Sequence, residues 1–192
     1  SRYCQRRIGV SEYHVKKKIA NALDIGCGNG NHVLFLEKQG INCTGIDISD
    51  NAISNARLRL EKEGISHADL AVLDAKKMQF DCNSFDLIIS DGVCDHVLFD
   101  EAKMIIDKAY NCLSQNGYLF ISLRSIFDSE FGRGEFVEKN TYRLVGGYEN
   151  GEIQHFFDIS EISQLLHKFN IFDLELSETI YPSEYSLDKA YI

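Results

Sequence analysis

The 192-residue sequence predicts an α/β fold: a doubly wound, mostly parallel sheet with helices on both faces and an aromatic-rich insertion after the fifth strand. Three observations predict it. Short apolar runs alternate with segments of helical periodicity, which is the order of parallel strands joined by crossover helices. Four successive runs end in a small or acidic residue. The hydrophobic share of 44% suits one domain with a substantial core, so we expect residues 1–192 to form a single domain.

The first predicted strand, Ala22 to Ile25, leads into the turn Gly26-Cys27-Gly28-Asn29-Gly30 and then into a helix from His32 to Gln39. Glycine reaches backbone conformations that are closed to other residues, so a ligand can lie directly against such a turn. The unpaired amides at the start of the helix favour a polar or anionic group. This order indicates a nucleotide-cofactor loop, although it also joins strands to helices where no ligand binds.

Three further strands are predicted, and an acid follows each of them: Asp47 after Cys43 to Ile46, Asp74-Ala75 after Leu70 to Leu73, and Asp91-Gly92 after Phe85 to Ser90. Ligands of open parallel sheets bind beyond the carboxyl ends of the strands. An acid about 20 residues after the first glycine is placed to accept the ribose hydroxyls of an adenosine. As alternatives, Asp47 and Asp74 cap a helix or a turn, and Asp91-Gly92 forms a turn.

The remaining elements follow from apolar spacing and turn residues. Residues 1–20 are expected to form an N-terminal helical segment, and Ser49 to cap a helix that ends at Gly64. The clearest amphipathic pattern predicts a helix from Asp100 to Leu113. The other predicted elements are a turn at Asn116-Gly117, a fifth strand from Tyr118 to Leu123, a helix over 159–169, and a strand from Ile171 to Leu176.

From about Asn21 to Ser177, the chain resembles the class I S-adenosylmethionine-dependent methyltransferases, within them the group that acts on small molecules. Four segments carry the resemblance: Leu23 to Gly30, Gly45 to Ser49, Phe85 to Val93 and Leu113 to Leu119. A dinucleotide-binding turn would place its third glycine at position 31, which is Asn31 here, and the third glycine comes one residue earlier. The resemblance implies a Rossmann-like fold, S-adenosyl-L-methionine as the cofactor and methyltransferase activity. It also implies a seventh, antiparallel strand, and we interpret Leu187 to Ile192, after Pro182, as the start of a strand that is either short or cut.

The resemblance also implies roles for the residues at the strand ends. Gly26, Cys27 and Gly28 would lie along the methionine part of the cofactor, with Asp24 near its ammonium group. The adenosine would be bound by Asp47 at the ribose, Ile48 over one adenine face, and Asp74 with the Ala75 amide at the adenine edge. Asp91 would border the methionine and the methyl group. Tyr3, Arg6 and Arg7 could close on the methionine carboxylate or simply lie on the surface.

The general base is predicted to be His96, which follows the fourth strand and can take a proton near neutral pH. His155 is a second possibility at the opposite wall. Capping or packing would equally account for either histidine, and an anionic acceptor would need no base. No metal site is predicted, because Asp91 and Asp95 alone do not make a convincing ligand set.

Residues 124–157 interrupt the alternation of strands and helices, with a hairpin predicted around Gly146-Gly147 and Asn150-Gly151. Long loops in compact domains are usually functional, so we interpret the segment as the wall and lid of the acceptor site. Alternatively, its aromatic side chains pack on the sheet or on a second subunit. These aromatic residues are Phe127, Phe131, Phe136, Tyr142, Tyr148, Phe156 and Phe157.

Composition narrows the range of partners. A net charge of −9 argues against a protein that binds along nucleic-acid backbones. We expect no membrane span, because no apolar run is long enough for one, and no signal peptide. Its six cysteines, without a Cys-x-x-Cys pair, indicate reduced thiols in a cytoplasmic protein. The resemblance implies a small-molecule acceptor. The alternatives are a nicotinamide-dependent oxidoreductase on a variant Rossmann loop and a non-catalytic, cofactor-binding partner subunit.

Overall fold

Five parallel strands form the central sheet of the computed structural model, which describes residues 18–146 and 150–174. They are β1 (Asn21–Ile25), β2 (Asn42–Asp47), β3 (Asp69–Val72), β4 (Phe85–Ser90) and β5 (Leu113–Ile121). Their order across the sheet is β3-β2-β1-β4-β5. The chain therefore builds outward from β1 in one direction and restarts at β4 on its other side. Ligands of open α/β sheets bind at such a reversal.

Helices cover both faces of this sheet, as predicted. On one face, α1 (Asn31–Lys38) and α2 (Asp50–Lys62) bury Val33 and Ile53 against Ala22 of β1. On the other face, α3 (Phe99–Cys112) buries Ile105 against Leu23. Successive residues of β1 thus contribute to opposite cores, which explains why its apolar run is continuous.

Local signals set the bounds of α2. The Ser49 hydroxyl accepts a hydrogen bond from the Ala52 amide at 3.2 Å and caps the helix, as predicted. Gly64 follows the helix with a φ of 77°, a left-handed conformation that favours glycine. The predicted helix, with Ser49 as its cap and Gly64 at its end, is therefore confirmed.

The strand β5 begins earlier than predicted, at Leu113 directly after α3. Phe85 of β4 pairs with Leu113, whereas Leu87 pairs with Tyr118, so β5 bulges between these pairs. Asn116 lies in the bulge with a φ of 60°. The predicted turn residue therefore bends the strand rather than preceding it.

The insertion contains a second sheet of three antiparallel strands, β6 (Glu135–Glu138), β7 (Thr141–Arg143) and β8 (Ile153–His155). Strands β7 and β8 pair from Thr141↔His155 to Arg143↔Ile153, which confirms the predicted hairpin. Residues 147–149 of its loop, including Tyr148, lie outside the described residues. The insertion returns to the main sheet at Phe157, whose amide donates to the Arg124 carbonyl at 2.7 Å.

The last described element is α4 (Ile159–Leu165), which is shorter than the predicted helix. The predicted strand from Ile171 is wrong for residues 171–174, which have no regular structure. Ile171, Phe172 and Leu174 are each at least half exposed, so their apolar character does not reflect burial in a sheet. The expectations for residues 1–17, 175–176 and 182–192 lie outside the described residues. None of the helices in the described ranges is long and apolar enough to cross a membrane.

Candidate active site

The glycines of the turn between β1 and α1 serve different purposes. Gly26 and Gly28 have φ values of 69° and 52°, which favour glycine. A Cβ atom at Gly26 would collide with the side chain of Val93, so packing alone requires a glycine there. A Cβ atom at Gly28 would have no heavy atom within 4 Å. Gly28 therefore leaves its main chain open to a ligand.

Asp47, at the end of β2, ties this turn to the start of α2. One carboxylate oxygen, Oδ2, accepts a hydrogen bond from the Gly28 amide, and the other, Oδ1, accepts one from the Ser49 amide, both at 2.8 Å. A carboxylate has about four lone-pair positions, so capacity remains for further donors such as ribose hydroxyls. The next side chain, Ile48, is 72% exposed beside it and is free to cover a planar ring.

Asp74 lies two residues beyond the end of β3 and begins the short 3-10 turn Ala75–Lys77. Its Oδ1 atom accepts a hydrogen bond from the Lys76 amide at 2.9 Å. The capping alternative is therefore confirmed for Asp74. Capping uses only one carboxylate oxygen of Asp74, and the side chain is not fully buried. This geometry is compatible with a contact between Asp74 and adenine, which stays a prediction.

Asp24 is the most deeply buried acid of the site, with 1% of its surface exposed. Its Oδ2 atom is buried without a hydrogen-bond partner among the described residues. His32 Nδ1 lies 3.6 Å from the other oxygen, Oδ1, which is longer than an ordinary hydrogen bond. Burial raises the pKa of Asp24, and the nearby His32 opposes this shift. This unpartnered oxygen is the strongest sign that the site binds a ligand with a hydrogen-bond donor.

Asp91 lies in the turn after β4 and is held by Ser122, the residue that follows β5. The Ser122 hydroxyl donates to Asp91 Oδ1 and accepts from the Gly92 amide at 3.0 Å. Asp91 thus forms part of a turn, as the alternative predicted. Its second oxygen, Oδ2, lies 3.9 Å from His32 Nε2, so it also faces the site.

His96 and Asp95 belong to a 3-10 turn, Cys94–His96, beyond the carboxyl end of β4. His96 is exposed to solvent, as a general base must be before its acceptor binds. Asp95 is 8% exposed, and Gln154 Nε2 of β8 donates to its backbone carbonyl at 3.0 Å. Its Oδ1 atom has no partner in the described part of the chain, and burial raises its pKa. Asp95 was not predicted to be a site residue. The only feature of the sequence that points to it is its position next to His96.

His155 does not lie at a wall of the site. Its side chain is fully buried, with Nδ1 at 2.7 Å from the Thr141 hydroxyl and the ring stacked on Phe99 at a centroid distance of 5.5 Å. Burial lowers the pKa of His155, so it is held neutral. The interpretation of His155 as a base is wrong, because its fully buried ring is not accessible to an acceptor and its Nε2 atom lies 3.6 Å from Glu161 Oε2.

The insertion's aromatic side chains divide into buried and exposed groups. Phe156 and Phe157 are buried, which confirms the packing alternative for these two residues. Phe131 packs edge to face on Tyr142 and Phe156, with centroid distances of 5.6 Å in both pairs, yet keeps 38% of its surface exposed. Phe127 is 80% exposed. The insertion therefore presents aromatic surface, and it also contributes Phe157 to a core shared with α3 and α4.

Within the described ranges, no cluster of three or more histidine, cysteine, aspartate or glutamate side chains is arranged to hold a metal ion. The cysteines in these ranges are all free: Cys27, Cys43, Cys94 and Cys112 are buried, and Cys82 is exposed. Burial raises the pKa of Cys27 to about 12, so this thiol, in the turn itself, stays protonated at neutral pH.

Comparison with known proteins agrees with this geometry. Phosphoethanolamine N-methyltransferase 2 of Caenorhabditis elegans is 30% identical over 142 residues, covering 73% of this chain and 30% of that protein. Human EEF1A lysine methyltransferase 2 is 32% identical over 110 residues, covering 54% and 47%. The chain thus spans less than half the length of these two curated relatives.

A crystal structure of an S-adenosylmethionine-dependent methyltransferase from Methanosarcina mazei has the same fold, with a TM-score of 0.68, 25% identity and 79% of both chains covered. A family model described as a methyltransferase domain matches residues 23–121, more than half of the chain. This match excludes the oxidoreductase alternative. The chain belongs to the class I S-adenosylmethionine-dependent methyltransferases.

Proposed function

We propose that this chain transfers a methyl group from S-adenosyl-L-methionine to a small-molecule acceptor. The observation that carries the proposal is the buried Oδ2 atom of Asp24, which lacks a donor in the described structure. A buried charged oxygen without a donor is costly. The ammonium group of the cofactor's methionine part would supply that donor, so the site fits a ligand of this chemistry.

The other residues fit the cofactor along its length. The open main chain at Gly28 supports contact with the methionine part. The residues proposed to bind adenosine and the methionine part are Gly26, Cys27, Asp47, Ile48, Asp74, Ala75 and Asp91. When bound, the cofactor supplies a methyl group on positively charged sulfur, so the protein's main contribution is to position the two reactants.

His96 is proposed as the general base, because it is exposed directly after β4 and an imidazole can accept a proton near neutral pH. Gln154 holds the neighbouring backbone carbonyl of Asp95 and so connects this turn to the insertion. The exposed rings of Phe127 and Phe131 support residues 124–157 as the wall for an acceptor with an apolar part. One domain with this insertion is the proposed organisation.

The compartment is proposed to be the cytoplasm. The support is that the described cysteines are free, four of them buried and one exposed. Free thiols persist in reducing compartments, whereas oxidising ones favour disulfides.

Calorimetry with four ligands tests the cofactor assignment. S-adenosylmethionine and S-adenosylhomocysteine should bind, whereas NAD and NADP should not. A turn that binds a pyrophosphate has its third glycine at the position that Asn31 occupies here.

Methyl-labelled cofactor, incubated with a metabolite extract and separately with a protein fraction, tests the acceptor class. Label confined to protein would contradict the small-molecule proposal, and label in neither fraction would favour the non-catalytic alternative.

Asp47→Ala should weaken S-adenosylhomocysteine binding by about 1.5–3 kcal/mol, the loss of charge-assisted hydrogen bonds to the ribose. Asp81→Ala is the matched control, because this exposed acid precedes β4 at the opposite edge of the sheet. Asp47 also holds the Gly28 and Ser49 amides, so thermal unfolding must show that the variant is folded. A folded Asp47→Ala variant with unchanged affinity would assign Asp47 to a purely structural role.

A further inference from the structure

His32, in the first turn of α1, stands between two carboxylates of the site. Its Nδ1 atom lies 3.6 Å from Asp24 Oδ1, and its Nε2 atom lies 3.9 Å from Asp91 Oδ2. The side chain is 28% exposed, so it can reach a ligand. Neither the loop motif nor the roles proposed above use this imidazole.

We propose that protonated His32 binds the α-carboxylate of the cofactor's methionine part, opposite the ammonium group at Asp24. The inference rests on the proposed function and adds a specific ligand contact to it. It gives the two charges of the cofactor's amino-acid group one partner each, the Asp24 carboxylate for the cation and the His32 imidazolium for the anion.

The charges around His32 favour a cation at this position. The groups facing it are Asp24 on β1 and Asp91 after β4, and Asp47 on β2 adds a further negative charge near Asp24. Three acids without a cation would repel an incoming carboxylate. Arg59 of α2 donates a hydrogen bond to the side chain of Asn31, the residue before His32. This guanidinium group therefore already has a partner.

The same surroundings favour the charged form of His32. Interaction with the Asp24 carboxylate raises the pKa of His32, and Asp91 contributes in the same direction, while burial opposes both. Gly30, the residue before α1, has no side chain to cap the helix. The first amides of α1 are therefore available to the same anion as the imidazolium.

The sign of the pH dependence follows from this arrangement. The imidazolium must be protonated to bind a carboxylate, so affinity for S-adenosylhomocysteine should fall as pH rises through the raised pKa of His32, above its usual value of about 6.5. Asp24 must be ionised to bind the ammonium group, and its pKa is raised by burial, so affinity should also fall on the acid side. The affinity maximum should lie between these two transitions.

The test is calorimetry of S-adenosylhomocysteine and of its decarboxylated analogue, which retains the amine but lacks the α-carboxylate. For S-adenosylhomocysteine, His32→Gln should weaken binding about 10-fold at the affinity maximum and remove the loss of affinity at alkaline pH. The analogue should bind wild-type protein and the variant equally. His67→Gln is the matched control, because His67 also pairs with a carboxylate, Glu37 at 2.8 Å, beyond the amino end of β3.

A proton NMR titration of His32 gives a readout independent of activity. Its pKa should rise further when S-adenosylhomocysteine binds and should not rise with the analogue. Equal weakening of both ligands by His32→Gln would overturn the inference in favour of a positioning role, and tighter S-adenosylhomocysteine binding would overturn it in favour of competition with the ammonium group. Binding to wild-type protein with no effect of His32→Gln overturns this inference alone, whereas no binding to wild-type protein overturns the proposed function as well.

Discussion

Asp24 and Asp47 lie at the ends of neighbouring strands but differ in how their charges affect the stability of the folded protein. Both carboxylate oxygens of Asp47 accept hydrogen bonds from backbone amides, which stabilise its negative charge. Asp24 is almost completely buried, and one of its oxygens lacks a donor in the described structure. A ligand-binding group is expected to be the one left unsatisfied in the free protein, because its partner arrives only with the ligand.

Asp24→Asn should therefore raise the melting temperature at neutral pH while weakening the binding of S-adenosylmethionine. Burial raises the pKa of Asp24, so the ionised carboxylate costs stability above that pKa, and the cost disappears as pH falls through it. The expected gain at neutral pH is about 1–3 kcal/mol, because a neutral Asn amide is less costly to bury than an ionised carboxylate, and it should shrink toward acidic pH.

Asp47→Asn is the matched control and should lower the melting temperature, because Asp47 loses its charge-assisted hydrogen bonds to two amides. Thermal unfolding of both variants between about pH 5 and pH 8 checks the two signs. A lower melting temperature for Asp24→Asn at every pH would show that Asp24 stabilises the free protein instead.

At the scale of elements, the sequence was most informative where a pattern extends over a full strand or helix. Strand β4 and helix α3 were predicted because their apolar residues are closely and regularly spaced. Strands β7 and β8 have three residues each, too few to show alternation, so only their turn residues indicated a hairpin. The start of β5 was missed because Asn116-Gly117 has the composition of a turn whether or not a strand passes through it.

The same reasoning explains which site residues could be predicted. The glycines and acids at strand ends follow from local order along the chain, because parallel strands bring their carboxyl ends to one edge. The contacts of His32 with Asp91, and of Asp95 with Gln154, join residues that are far apart in sequence. Such contacts depend on how strands and the insertion pack, which no single segment of the sequence encodes.

The insertion should affect the acceptor and not the cofactor. Phe131→Ala should raise the acceptor's KM or lower turnover by about 10- to 150-fold, the loss of roughly 1.5–3 kcal/mol of apolar contact. Cofactor affinity should stay nearly constant, because Phe131 lies past β5, whereas the residues proposed to bind adenosine lie at the carboxyl ends of β2 and β3. Phe35→Ala, which removes an exposed ring of α1, is the control.

Limited proteolysis tests the insertion before an acceptor is known. Trypsin should cut after the exposed Arg133, between Gly132 and Gly134, and cleavage should slow when cofactor and acceptor extract are present together. Equal cleavage rates with and without ligands, together with a lower melting temperature for Phe131→Ala, would make the segment structural.

At the scale of the whole molecule, the chain is acidic and its acids meet at the carboxyl edge of the sheet. The net charge is −9, and Asp24, Asp47, Asp74 and Asp91 all lie at this edge. Clefts lined by one sign of charge concentrate ligands of the opposite sign. S-adenosylmethionine carries one more positive charge than S-adenosylhomocysteine, so the field of the protein favours the substrate form of the cofactor over its product.

Salt should therefore separate the two cofactor forms. Raising ionic strength from about 20 mM to about 500 mM shortens the Debye length from roughly 20 Å to a few ångströms and screens the exposed acids. Affinity for S-adenosylmethionine should fall by up to about fivefold, since a pair of unit charges 4 Å apart in water is worth about 1 kcal/mol. Affinity for S-adenosylhomocysteine should change less, because its sulfur carries no positive charge for the exposed acids to attract. Asp91→Asn, which neutralises a partly exposed acid, should reduce the salt effect on S-adenosylmethionine. Calorimetry of both ligands across this range of ionic strength checks the prediction. Equal dependence of the two affinities on salt would show that the protein's charge does not favour S-adenosylmethionine over S-adenosylhomocysteine.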